Sequence, residues 1–361
     1  MNQKINLVLK QMNDRGIDHL IISDPSSIDY LIDYQNHPGE RMYVLLLALD
    51  GKHTLFLNNL FYLDKELDLN VVWYSDTDDY VQILADHLQD ANCIGVDKFW
   101  AAKFLLPLMG LTNEETCFEL GSICIDYIRM KKDEQERELM REASRLNDLA
   151  IDQVIKLCAK GNLTEKEVSD KVAAIYQSLG CSDNSFMPII AYGKNGADNH
   201  HVGDDSILKP GDSIVIDMGG LYHGYCSDMT RTVFYKQASD EQIRVYNLVR
   251  KANEAAEAMI KPGVRLCDID KVARDIIAQG GFTSEFNHRL GHFIGRDVHE
   301  YGDVSANFDM PVEEGMIFSI EPGVYIQGDF GVRVEDLVLV TKDGCEVLNS
   351  YTKDLLIIGN D

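Results

Sequence analysis

The sequence predicts two domains, a smaller α/β domain over residues 1–128 and a larger α+β domain over residues 129–361. Three observations carry this division. Helical and strand patterns alternate through the first 120 residues. A densely charged segment, Met130-Lys131-Lys132-Asp133-Glu134-Gln135-Glu136-Arg137, then opens a long amphipathic helix. Beyond residue 185 the texture turns β-rich, with apolar alternating runs separated by Lys209-Pro210-Gly211-Asp212, Lys261-Pro262-Gly263 and Glu313-Glu314-Gly315. A length of 361 residues accommodates two or three domains at roughly 100–200 residues each.

Within the first domain, residues 2–15 place Ile5, Val8, Leu9 and Met12 on one helical face, and Leu20-Ile21-Ile22 reads as a strand. Residues 42–49 and 53–57 flank Asp50-Gly51, a hairpin signal. Helices follow near 78–90 and 100–109, with strands near Val71-Val72-Trp73 and Cys93-Ile94-Gly95-Val96. Neither GxGxxG nor GxxxxGK[ST] occurs, so nucleotide binding gains no support. In the second domain Leu139, Met140, Ala143, Leu146 and Ala150 mark the first helix, whose solvated opening turns account for the charge run. Thr164-x-x-Glu167 fits a capping box that starts the next helix, and helices at 240–260 and 268–279 interrupt the later strands.

Composition excludes several roles. The chain has 34 basic against 59 acidic residues, a net charge of −25, which repels phosphate backbones and anionic lipid. Nucleic acid and membrane are therefore not expected as partners. The longest apolar run, 42–49, is 8 residues, whereas a spanning helix needs about 20. The N-terminal MNQKINLVLKQMNDRG lacks the features of a secretory leader. Eight scattered cysteines form no CxxC pair and read as reduced thiols of a cytoplasmic protein.

The informative feature is a set of acids inside apolar strands. Asp217 ends the run Ile214-Val215-Ile216, and Asp228 lies on the returning segment Tyr225-Cys226-Ser227-Asp228-Met229-Thr230-Arg231. A chain turning around 222–224 brings the two Asp opposite each other or within a residue or two. Glu321 ends the strand Ile317-Phe318-Ser319-Ile320, and Glu335 lies within Val332-Arg333-Val334-Glu335-Asp336-Leu337. Buried like charges are costly unless compensated. Arg333 shares a face with Glu335 and can neutralise one carboxylate, but not four. Two divalent cations balance four carboxylates, and a neutral imidazole from the stretch His288 to His299 completes the set. Such a pair polarises a carbonyl and activates water, which is hydrolytic chemistry. Taken singly, each residue has a plainer reading: a strand-end acid, a hydrogen-bonded structural histidine, a surface Arg–Glu pair.

The order of these segments resembles the pita-bread metallopeptidases, specifically proline dipeptidases (prolidases) and Xaa-Pro aminopeptidases. The matching stretches are Ile216-Asp217-Met218-Gly219, Ser227 to Thr232, Gly291-His292 through His299-Glu300, Ser319-Ile320-Glu321-Pro322-Gly323, and Gly331-Val332-Arg333-Val334-Glu335-Asp336. The N-terminal part, through His37-Pro38-Gly39-Glu40-Arg41 and its length, resembles the creatinase/prolidase N-terminal domain, which methionine aminopeptidases usually lack. The resemblance implies a pita-bread catalytic domain and an exopeptidase that hydrolyses the X-Pro bond of dipeptides through a hydroxide bridging two divalent metals. Manganese is the first expectation, with cobalt, zinc or iron as alternatives.

By the same resemblance, Asp217 and Asp228 ligate one metal, His292 and Glu321 the other, with Asp228 and Glu335 bridging. Glu321 shuttles a proton, His200 and His299 orient substrate and stabilise the tetrahedral intermediate, and Arg333 holds the nearby carboxylates. The neighbour His201 competes with His200 for its role. Phe293, where a small residue is usual, is expected to narrow the substrate pocket. Arg296 is expected to line it with a cation that favours an acidic residue or a terminal carboxylate. The partners implied are X-Pro di- or short peptides and a second copy of the chain in a homodimer. The alternatives are an Xaa-Pro aminopeptidase acting on longer peptides, and a metal-free creatinase-like or binding homologue.

Overall fold

The computed structural model describes residues 3–360, so residue 2 of the first expected helix lies outside the described residues. The chain divides into two compact units, Met1–Arg129 and Met130–Asp361.

The first unit is a mixed six-stranded sheet covered on both faces. In chain order it contains α1 (Gln3–Arg15), β1 (His19–Ile22), α2 (Pro25–Ile32), β2 (Val44–Ala48), β3 (Thr54–Asn58), β4 (Asn70–Tyr74), α3 (Tyr80–Ala85), β5 (Cys93–Val96), α4 (Ala102–Leu111), β6 (Cys117–Leu120) and α5 (Ile123–Met130). The strand order is β4-β3-β2-β1-β5-β6. The unbroken apolar run of β2 follows from double coverage. Leu45 and Leu47 pack with Ile5, Val8 and Met12 of α1, whereas Val44 and Leu46 pack with Leu84, Phe104 and Leu108 on the other face. The expected β2–β3 hairpin forms, with Gly51 at φ +87° in its turn. The helix expected over 78–90 is only Tyr80–Ala85, started by Asp79, whose side chain accepts the Gln82 N–H. Neither α2, which opens on Asp24-Pro25, nor the short β6 was anticipated.

The second unit opens with α6 (Glu134–Ala159) and α7 (Glu165–Ser178), each begun by a capping box, at Asp133/Glu136 and Thr164/Glu167. The charge run before α6 is not simply solvated. Lys132 is 2% exposed and pairs with Glu300 at 2.8 Å, and buried Glu136 accepts the Tyr225 hydroxyl at 2.7 Å. Next come β7 (Asp183–Asn184), β8 (Ile189–Tyr192), β9 (Ser213–Met218), β10 (Gly220–Tyr222), β11 (Tyr225–Cys226) and β12 (Met229–Tyr235). After α8 (Asp240–Met259) and α9 (Leu266–Gln279) follow β13 (Gly291–Phe293), β14 (Glu300–Val304), β15 (Ile317–Ile320), β16 (Gly323–Ile326), β17 (Phe330–Arg333), β18 (Asp336–Val340), β19 (Cys345–Val347) and β20 (Ile357–Ile358).

Two sheets dominate, β20-β12-β9-β8 and β14-β13-β15-β18-β19, with smaller sheets β16-β17 and β11-β10-β7. Ile151, Val154, Val168 and Val172 of α6 and α7 cover Ile190, Ile214 and Ile216 of the first sheet. The antiparallel β9–β12 register pairs Asp217 with Thr230 and Met218 with Met229, so Asp228, just before β12, lies two residues from the partner of Asp217 and on the same face. The chain reverses through β10–β11 at His223 and Gly224, both at positive φ, which a two-residue hairpin turn requires. Glu335 is not within a strand: Val334 and Glu335 form the break where the chain leaves β17 for β18.

Candidate metal centre

The strand ends of the second unit converge on a cavity of about 550 Å³. Asp217 enters from β9, Asp228 from the residue before β12, His292 from β13, Glu321 from the step between β15 and β16, and Glu335 from the β17–β18 break; all five line the cavity, as do His200, His299 and Arg333. Asp217, Asp228, His292, Glu335 and Arg333 are each 8% exposed or less. One ligand atom each of Asp228, His292 and Glu335 lies within 4.8 Å of the others.

Arg333 is fully engaged. Its Nη2 meets Asp217 Oδ2 at 2.5 Å, Nε donates to Thr230 Oγ1 at 3.0 Å, and Nη1 donates to the Tyr325 hydroxyl at 2.9 Å. Thr230 in turn donates to Glu335 Oε2 at 2.6 Å. Tyr325 donates onward to His288 Nε2 at 3.0 Å, and the opposite His288 nitrogen donates to the Arg289 carbonyl at 2.7 Å. Burial, then Arg333, pushes His288 down to about 3, so its ring stays neutral, as this chain of donors requires. Neither His288 nor Tyr325 was singled out from the sequence as a site residue.

The remaining charge is uncompensated by protein groups. Of the four carboxylates Arg333 pairs with Asp217, while the other lining guanidinium, Arg289, is paired with Asp303; the buried Oδ1 atoms of Asp217 and Asp228 have no hydrogen-bond partner among the described residues. His292 donates from Nδ1 to its neighbouring carbonyl, Phe293 O, at 3.2 Å, so its bare Nε2 lone pair faces Asp228 Oδ2 and Glu321 Oε1, each at 3.5 Å. Lone pairs directed at one another need a cation between them. With protein groups alone, burial and then neighbouring carboxylates push Asp228 and Glu335 well above the usual carboxylate range. Burial lifts Glu321 to about 7 and lowers His292. A donor set of carboxylate oxygens and one imidazole, with orphaned lone pairs turned inward, fits divalent cations of the Mn, Fe, Co or Zn kind.

Around this centre the histidines separate. His200 lines the cavity, whereas His201 turns away to donate to buried Glu165 at 2.7 Å. His299 stands edge-on to His292 at 4.3 Å between ring centroids, and burial followed by His292 pushes it down to about 4.

Two expectations for the substrate pocket are corrected. Phe293 is fully buried against Phe318 at 5.3 Å and does not line the cavity, because adjacent residues of β13 point to opposite faces. Arg296 does not line it either; its guanidinium lies 5.6 Å from the Tyr225 ring centroid, beside the Gly224 turn. The strand ends at Phe293, and the loop that follows no longer alternates. Besides Arg333, the cavity wall carries a second cation, Arg289, which was not expected from the sequence.

A sequence model described as metallopeptidase family M24 matches residues 138–342, and one described as the creatinase/prolidase N-terminal domain matches residues 4–130. A Staphylococcus aureus protein called an uncharacterised peptidase is 34% identical over 357 residues, 97% of this chain and 99% of its own length. The solved dipeptidase PepE of Mycobacterium ulcerans is 31% identical with a TM-score of 0.92, covering 99% of this chain and 97% of its own. The prolidase of Pyrococcus horikoshii OT3 is 30% identical with a TM-score of 0.89, covering 98% and 100%.

Proposed function

The chain belongs to metallopeptidase family M24, and from that premise we propose that it is an Xaa-Pro dipeptidase using two divalent metals, manganese first among them. The observation that carries this reading is the convergence of Asp217, Asp228, His292, Glu321 and Glu335 around inward-facing lone pairs, with Arg333 paired to Asp217. Asp217 and Asp228 would hold one cation, His292 and Glu321 the other, and Asp228 with Glu335 would span both. Cations in such a site supply Lewis acidity toward the scissile carbonyl and lower the pKa of water toward neutrality.

The protein's own groups do the rest. Glu321 has the most exposed side chain of the ion-paired acids at the centre, 16% against 12% for Asp217 and 5% for Asp228, and it passes the proton to the departing proline nitrogen. His200 and His299, on the cavity wall, donate to the carbonyl oxygen as charge develops there. Arg333 fixes Asp217 through the bonds that Thr230 and Tyr325 hold in place. Phe186, Ile189 and Val298 give the X side chain an apolar wall.

Arg289 favours dipeptides over longer peptides. Its Nη1 is ion-paired to Asp303, while Nε and Nη2 face no acceptor among the described residues. That open edge of a guanidinium matches a carboxylate bidentately, as the free C-terminus of an X-Pro dipeptide presents one. The test compares Leu-Pro with Leu-Pro-Pro, with Mn²⁺ and then with chelator. Chelator-sensitive hydrolysis of Leu-Pro in preference to the tripeptide is expected. Preference for the tripeptide would make the enzyme an aminopeptidase, and activity indifferent to chelation would reject the mechanism.

A further inference from the structure

We propose that Glu165, at the first turn of α7, is a positioning residue that holds the loop 198–206 so that His200 faces the reacting centre. The inference rests on the role given to His200 in the proposed function. Glu165 is fully buried, which for a carboxylate demands compensation. Its Oε1 accepts the Tyr192 N–H at 2.6 Å and the Asn195 side-chain amide at 2.9 Å. Its Oε2 accepts the Asp204 N–H at 3.0 Å and the His201 ring N–H at 2.7 Å. Four donors from two stretches of chain, one before and one after His200, thus end on one side chain.

The backbone repeats the clamp in the opposite direction. The Glu165 and Lys166 amides donate to the Ser206 and Asp204 carbonyls at 3.3 and 3.1 Å, so the loop also satisfies the open N-terminus of the helix. The fit is close: a Cβ on Gly203 would meet the Glu165 carbonyl carbon at 3.3 Å. Glu165, His201 and Asp204 also offer three donor atoms within 4.8 Å, the spacing of a cation site. Glu165 already accepts four hydrogen bonds, which fill its lone pairs and leave none for a metal. Asn199 and His200 sit at the far side of the clamp and line the cavity.

The conservative variant Glu165→Gln tests this, because an amide turns two donors toward donors while keeping the side chain's size. Assayed on the manganese-loaded full chain with Leu-Pro, it is expected to lower kcat about 10²-fold, the scale of a misplaced reacting group, with manganese content unchanged. Combined with His200→Ala it is expected to add nothing further, since both act through one imidazole. Hydrogen exchange of residues 189–206 should speed up in the Gln variant, and this readout is independent of the substrate assignment. Should Glu165→Gln not fold, His201→Ala removes a single donor and is expected to show the same non-additivity with His200→Ala. Losses that multiply in the double variant, lost manganese, or wild-type turnover beside faster exchange would each overturn the proposal. Absence of X-Pro hydrolysis by the wild type, with exchange responding as expected, would instead overturn the substrate reading alone.

Discussion

Replacing Glu335 by Gln should separate the metal centre from the fold that carries it. Glu335 is 2% exposed and its carboxylate accepts one hydrogen bond, from Thr230 at 2.6 Å, which an amide oxygen can keep. The variant therefore loses a negative charge and little else. In the wild type, each cation at about 100 times its dissociation constant stabilises the folded state by about 2.7 kcal/mol. For a unit the size of Met130–Asp361, at about 2–4 °C per kcal/mol, this is a rise in Tm of about 5–11 °C per cation. Gln at 335 should abolish most of that rise. With chelator the order should invert at pH 8. Burial, then Asp228 and Glu321, pushes the Glu335 carboxyl well above its ordinary 4.5. An acid raised in the folded state destabilises it progressively as pH climbs past the unfolded value, so removing that acid stabilises the chelated protein at pH 8 and has little effect below pH 4.5. Scanning calorimetry of both proteins, with Mn²⁺ and with chelator, reads all four cases. A Gln variant that keeps the full manganese shift, or melts below the wild type at pH 8 under chelation, would refute the reasoning.

Other consequences follow from the same groups. In the chelated protein Glu321, raised from 4.5 to about 7 by burial, holds its proton across that window in the folded state, so stability should fall by about 3 kcal/mol between pH 4.5 and 7. Manganese affinity should correspondingly weaken as pH drops below 7; a chelated protein that melts higher at pH 8 than at pH 5 would contradict this. Arg289→Met should raise KM for Leu-Pro about 10–100-fold, the worth of a charge-assisted hydrogen bond, and leave Leu-Pro-amide unaffected; an equal loss on the amide would exclude carboxylate recognition. Arg296→Leu should leave the order of preferred X residues intact and lower Tm by a few degrees, because about 0.5–1 kcal/mol of contact with the Tyr225 ring is lost. A changed order would return Arg296 to the pocket.

The division of the chain and the acids of the centre were legible because they break a pattern. A carboxylate inside an apolar strand is an anomaly that sequence alone displays, and Asp217, Asp228, Glu321 and Glu335 all line one cavity. Side-chain direction outside regular strands was not legible. Arg296 was expected at the pocket from its place in the family pattern, not from strand geometry, and the register shifts between His292 and Phe293 before the strand ends. Long-range partners were equally hidden. Nothing near Lys132 in sequence indicates that its ammonium is buried against Glu300, and nothing near His201 indicates Glu165. The role of His288, named only as one of three candidate imidazoles, and that of Tyr325 were hidden for the same reason, since Arg333 bonds Tyr325 and Tyr325 bonds His288 only in the folded chain.

Metal analysis of the active protein is the most direct test of the central claim, that these buried acids coexist around two doubly charged ions. Protein reconstituted with manganese should carry two ions per chain and lose Leu-Pro hydrolysis in step with their removal. Undiminished turnover by protein stripped of every bound ion would contradict it.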